Sequence, residues 1–164
     1  MNRMLAAFAA AVLLLSGCAG PGSIGEVDVA ITDSWVKTAE AGEMSAAFGI
    51  IENHGADDLT VVAASSPVSG VTELHEVVDD GTGAMVMREI EGGFLVPAGG
   101  RLVLEPGGNH IMLMGLTEDI LAGTEVTVLI EFSNGETMTI QAPARDYAGA
   151  NEEYEHDHEH GHDH

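Results

Sequence analysis

Between residues 27 and 142 every apolar stretch is short, rich in Val, Ile, Leu, Phe and Thr, and cut off by a cluster of Gly, Pro, Asn or Asp. Segments of that length leave little room for an amphipathic helix and read as the strands of a sandwich or barrel. Strands are expected at 28–31, 34–38, 44–53, 59–65, 72–78, 84–89, 101–105, 110–116, 125–132 and 137–142. The breaks at 54–58, 79–83, 97–100, 106–108 and 133–136 supply residues that start turns or accept positive φ. Asn134-Gly135, set between Val126, Val128, Ile130 and Met138, Ile140, is the strongest hairpin signal in the chain. One helical turn is expected at 116–121, with Thr117 capping ahead of Glu118 and Asp119. The 164 residues suffice for one core, so the fold class expected is all-β with a single domain.

The ends of the chain read differently. Residues 1–17 carry one basic residue, Arg3, then an apolar run from Met4 to Leu15 and small residues before Cys18. That is an export signal, too short in its apolar part to span a bilayer comfortably. Leu15-Ser16-Gly17-Cys18 resembles a bacterial lipobox, which implies cleavage before Cys18 and a lipid on its sulfur. The alternative is an ordinary secretory signal with a cysteine near the cleavage point; both place the mature domain outside the cytoplasm. Residues 18–26 suit a flexible tether, 27–143 the domain, and 144–164 an acidic, His-rich tail without packed structure. A lone cysteine excludes an intramolecular disulfide, a CxxC redox pair and a thiolate-rich zinc site. The formal charge of −22 excludes nucleic acid as a partner, because phosphate backbones are held by basic patches that this chain lacks.

Histidine and methionine concentrate where the chemistry is. Met85 and Met87 lie on one expected strand, His110, Met112 and Met114 on another, and His75 on a third. Residues i and i+2 of a strand share a face about 6.5–7 Å apart, so each set projects together. Thioether sulfur is a soft, uncharged donor that suits Cu(I) and suits hard or borderline divalent ions poorly, while imidazole accepts copper in either state. A mixed His/Met set therefore selects Cu(I). The competing reading is packing, since methionine commonly fills gaps in cores and Met85-x-Met87 fits that role. His75 beside Glu76 likewise fits a surface histidine, as does His54 in its turn.

Glu73-Leu74-His75-Glu76, Met85-Val86-Met87-Arg88, Val96-Pro97-Ala98-Gly99-Gly100 and Pro106-Gly107-Gly108-Asn109-His110-Ile111-Met112-Leu113-Met114-Gly115-Leu116 together resemble the periplasmic copper chaperones of the PCuAC type. The resemblance extends over nearly all of residues 27–142, including Ser34-Trp35-Val36 and the segment 63–68. It implies a cupredoxin-like Greek-key β-sandwich holding one Cu(I) near its surface. His75, Met87, His110 and Met112 are the ligands it implies, with Met85 able to stand in for Met87, and Glu76 occupies a position where such proteins often carry methionine. It also implies delivery to the CuA site of cytochrome c oxidase, on subunit II, or to another copper acceptor. A blue-copper electron carrier needs a thiolate ligand, and Cys18 is the expected anchor. No Ser/His/Asp order, recognisable carboxylate pair or phosphate loop appears, so no catalytic residue is expected and the chain reads as a binding protein, not an enzyme.

The tail is a second metal signal. His156, His158, His160, His162 and His164 alternate with acidic residues or glycine, a pattern able to bind Cu(II) or Zn(II) through neutral imidazoles. Two functions follow. One is a lipid-anchored, extracytoplasmic Cu(I) metallochaperone; the other is a metal-sequestering surface lipoprotein in which the tail binds Cu or Zn and the sandwich is a carrier.

Overall fold

The computed structural model describes residues 28–149 and the backbone of 153–154; the leader, Cys18 and the tail histidines lie outside the described residues. Among the described residues there is no helix. The strands are β1 (Val29–Lys37), β2 (Ser45–Asn53), β3 (Leu59–Ser65), β4 (Ser69–Asp79), β5 (Met85–Glu89), β6 (Phe94–Val96), β7 (Arg101–Leu104), β8 (His110–Leu116), β9 (Glu125–Phe132), β10 (Thr137–Arg145) and β11 (Glu153–Tyr154). Their order is β11-β5-β4-β8-β2-β1-β10-β9-β3-β6, with β7 beside the far half of β2. Neighbours distant in sequence, such as β4 with β8, β8 with β2 and β3 with β9, arise because the chain crosses repeatedly between two layers. The layers enclose one core: Val36, Ile51, Leu74, Ile111 and Leu113 from one side meet Val61, Phe94, Val128, Ile130 and Phe132 from the other. This is the all-β sandwich expected from the residue pattern, of the cupredoxin-like kind that the resemblance implies.

Strand alternation then dictates what the outer face of the first layer carries. On β8, Ile111 and Leu113 turn into the core, so His110, Met112 and Met114 turn outward. β2 repeats this: Ala47 and Ile51 face the core, while Ala46 and Phe48 join Met112 and Met87 in a second, smaller apolar cluster. Trp35 reaches that outer face only through a β-bulge. Between Thr32 and Trp35 the β1–β2 register slips, so that Asp33 and Ser34 together oppose Gly49. Asp33 takes a φ of 52°. Gly49 accommodates the bulge because a Cβ there would stand 3.1 Å from Ser34 Cα and 3.2 Å from Thr32 O. The inward phase is odd before the bulge, at Ile31, and even after it, at Val36, which leaves Trp35 to stack on Phe48 with ring centroids 4.5 Å apart.

Three local expectations are revised. Segments 28–31 and 34–38 are one bulged strand, β1. The helical turn at 116–121 does not form: Ile120 bridges Ala39 and buries its side chain, and Asp119 Oδ1 accepts from Ala41 N at 2.8 Å. Burying a large aliphatic group is worth about 1.5–3 kcal/mol, more than a cap of about 1 kcal/mol, so the extended form wins. Finally, β10 runs past Pro143 to Arg145 and pairs with β1 from Ala144 onward. Pro143 is tolerated because the β1 pairing begins only after it, where no donor is needed. Beyond the strand, Thr38 Oγ1 donates to Asp146 Oδ1 at 2.8 Å and Tyr147 lies 5.6 Å from Trp35, so the ordered domain continues beyond the expected boundary at 143. The Asn134-Gly135 hairpin forms as expected, with Gly135 at φ 83°.

Candidate metal centre

The antiparallel register brings the two histidines together. His75 on β4 is the direct partner of His110 on β8, and residues opposed in this way share a face. Their rings stand 5.6 Å apart at 62°, nearly edge to face. Both are sealed from solvent, at 0% and 3% exposure. On the other side of β4, Met87 of β5 opposes Val77, which places its side chain on the same outer face two residues along from His75. Met112 follows His110 on that face and is buried beside Met87 in the outer apolar cluster.

Hydrogen bonds set the tautomers. His75 Nε2 lies 2.8 Å from Glu73 Oε2, and His110 Nδ1 lies 3.0 Å from Gly108 O. A carboxylate and a carbonyl can only accept, so each of those nitrogens carries the hydrogen in the neutral ring. The lone pairs are therefore on His75 Nδ1 and His110 Nε2, both sealed from solvent. A carboxylate or carbonyl that holds the far nitrogen of an imidazole is the usual means of aiming the near nitrogen at a metal.

A cavity of about 160 Å³ opens over this cluster, lined by Lys37, Met44, Ser45, Ala46, Phe48, Met87, Pro106, Gly107, His110 and Met112. His75 stands behind His110 and is not part of the lining. Of the two methionines left open by the spacing, Met87 lines the cavity at 8% exposure, whereas Met85 is 51% exposed beside the Asp79 turn. In that turn the Thr82 hydroxyl donates to Asp80 and holds its carboxyl below the ordinary value. Glu76 points to the face opposite His75 and pairs with Arg88, Nη2 to Oε1 at 2.8 Å, so a sulfur at position 76 would not face the cavity. His54 is exposed, 3.9 Å from Glu52, and remote in the sheet from the cluster.

The donor chemistry of the cavity is one-sided. Among the described residues no Asp or Glu lines it, and no group of three or more His, Cys, Asp and Glu is placed to hold an ion. What converges is imidazole and thioether, a set suited to a soft monovalent ion and poorly suited to zinc or harder cations. Glu73, Met44, Trp35 and Phe48 were not singled out as site residues by their sequence pattern. Glu73 was detectable in principle, since it lies two residues before His75 on one strand and so shares its face. Glu73→Gln keeps the shape and removes the charge behind His75; Cu(I) affinity is expected to fall about tenfold, at the lower end of what losing such an outer partner costs. Competition against a Cu(I)-chelating dye measures it, and an unchanged affinity would remove Glu73 from the orienting role.

Residues 29–144 match the family described as "Putative lipoprotein LpqE-like". A relative from Leifsonia xyli subsp. xyli (strain CTCB07), "Putative lipoprotein Lxx21020", is 41% identical over 163 residues, covering 93% of this chain and 96% of that protein. Among solved structures, the apo PCuAC domain from PmoF1 superposes with a TM-score of 0.63 at 17% identity, over 75% of this chain and 98% of that one. The copper-bound PCuAC domain from PmoF2 gives 0.61 at 18% identity, over 75% and 97%. The solution structure of CuI-DR1885 from Deinococcus radiodurans gives 0.55 at 22% identity, over 73% and 80%. At these identities the three structures establish a shared fold.

Proposed function

We propose, from the premise that this chain belongs to the LpqE-like lipoprotein family, that it is an extracytoplasmic Cu(I) carrier that passes its ion to a copper acceptor. The observation that carries the reading is the convergence of Met87, His110 and Met112 on one carboxylate-free cavity, with the His75 ring 5.6 Å from that of His110. His75, Met87, His110 and Met112 are the proposed ligands. The copper-bound state of the PmoF2 domain and the Cu(I) state of DR1885, both of this fold, support it.

Two neutral imidazoles and two thioethers leave the bound ion with its single positive charge, and no anionic donor anchors it. Each donor can be displaced singly by an incoming one, which suits delivery better than storage. In this proposal the acceptor is a soft-donor copper site such as the CuA site on cytochrome oxidase subunit II, and the protein turns over no substrate of its own. Cys18, outside the described residues, is the proposed lipid anchor; loss of the protein from the membrane fraction on Cys18→Ser is the check.

X-ray absorption of the Cu(I)-loaded chain ending after Gly149 tests the ligand set. Nitrogen and sulfur neighbours in roughly equal number are expected, as the donor types require, and a shell of oxygen alone would overturn it. If this shortened chain takes up no Cu(I) while the full chain does, His156, His158, His160, His162 and His164 carry the binding and the sequestering function holds instead.

A further inference from the structure

We propose that Met44 is the exit donor of this site, the thioether that takes hold of Cu(I) as it leaves the buried ligands and presents it to the acceptor. The inference rests on the Cu(I)-carrier reading above and adds to it a route for transfer.

Two buried histidines and two buried methionines create a difficulty for a carrier. His75, His110, Met87 and Met112 are all at or below 8% exposure, so the acceptor's donors have little access to the ion while all four hold it. Some group at the cavity mouth must stabilise an ion that has begun to leave. Among the described methionines, Met44 alone both lines the cavity and is half exposed, at 47%. The rest of the mouth offers no comparable donor: Pro106 and Gly107 have no donor side chain, the Lys37 ammonium donates to Gly149 O at 3.3 Å and has no lone pair, and the Ser45 hydroxyl is a hard oxygen, 3% exposed, that matches Cu(I) poorly.

The backbone around Met44 is held by hydrogen bonds, while its side chain is half exposed. Met44 follows the turn at 40–43, in which Gly42 N donates to Leu116 O at 2.8 Å, Leu116 N donates to Glu43 O at 3.2 Å, and Asp119 Oδ1 accepts from Ala41 N at 2.8 Å. Two residues later comes Ala46, the register partner of Met112. Met44 immediately precedes β2, and continuing the strand's alternation by one residue puts it on the same side as Ala46, where it lines the cavity with Met112. Methionine is unbranched and turns about three side-chain bonds, so a sulfur on a fixed base can swing between the cavity and solvent. Exchange then proceeds through neutral donors only: Met44 sulfur bonds to Cu(I) as one buried donor is released, and the acceptor's donors replace the remainder. No change of oxidation state is involved.

The test separates rate from equilibrium on the full-length chain, with the Cu(I) chelator bathocuproine disulfonate as the acceptor. Met44→Leu keeps volume and apolarity and removes the sulfur. Transfer to the chelator in stopped flow is expected to slow about tenfold, the effect of losing one stabilising contact in the transferring state. The equilibrium partition of Cu(I) should stay within about a factor of two, because Met44 holds the ion only in passage. An unchanged rate in Met44→Leu, with Met87→Leu still weakening Cu(I), would overturn the exit role and leave the site standing. A loss of affinity in Met44→Leu as large as in Met87→Leu would overturn it too, by making Met44 a resting ligand. If neither Met87→Leu nor Met112→Leu weakens Cu(I), the carrier reading itself falls and the exit role with it.

Discussion

Replacing Met87 and Met112 together by leucine is expected to lower Cu(I) affinity by at least about a hundredfold, since losing two of the proposed inner donors costs more than the 10- to 100-fold typical of outer partners. Binding of Zn(II) is expected to change little, because thioether contributes poorly to a borderline ion. Leucine is the informative replacement. Both methionines are buried beside Ala46 and Phe48, so truncation to alanine would open a hole and cost about 2–5 kcal/mol of stability. Leucine conserves volume and should cost under about 1.5 kcal/mol at each position. Cu(I) competition and thermal melts on the same samples distinguish the two readings of these residues. Lost affinity with a nearly unchanged melt identifies ligands; full affinity, whatever the melt, identifies packing, and the site assignment would then fail.

Gly93→Ala is expected to destabilise the fold by about 3 kcal/mol or more, through strain at a residue held at positive φ and a collision that the backbone must relieve. Gly93 has a φ of 82°, and a Cβ there would run into the Val61 carbonyl, with Thr60 Cγ2 3.2 Å away. Val61 is fully buried and pairs with Phe94, so the clash displaces the β3–β6 ladder at the edge of the second layer. A drop of about 10–15 °C in Tm follows for a domain of this size. The neighbouring Gly92→Ala is the control. Gly92 also has a positive φ, 96°, but nothing lies within 4 Å of its Cβ position, so only the conformational cost of about 1 kcal/mol applies. Equal melts for the two variants would contradict the account. Because β6 edges the layer opposite the histidines, Cu(I) affinity of folded Gly93→Ala protein should match that of the parent.

The contrast between what was readable and what was not follows the range of the forces involved. Strands β2, β3, β5, β7, β8 and β9 are legible to within a residue or so at their ends, because alternation and turn chemistry are local. β6 was not expected. Phe94–Val96 is three residues between Gly92-Gly93 and Pro97, and it is a strand only because β3 lies beside it. The turn at 116–121 failed for a related reason: a local cap was outweighed by a contact 81 positions away, between Ile120 and Ala39. At the site, His110 and Met112 share a face by spacing alone. His75 opposing His110 depends on the β4–β8 register, which no short pattern states.

By itself the sequence determined that the chain is all-β, that it is acidic and poor in thiol, and that its soft donors sit at i, i+2 positions of strands. These are properties of composition and of a two-residue period, and they hold wherever the strands go. Only the tertiary structure decided which donors meet. It buried Met87 in the cavity wall and left Met85 half exposed, turned Trp35 outward through the Asp33–Ser34 bulge, set Glu73 behind His75, and left Met44 half exposed at the cavity mouth. Each of these depends on register and burial between segments tens of residues apart, where a slip of one residue would send every side chain of a strand to the other face.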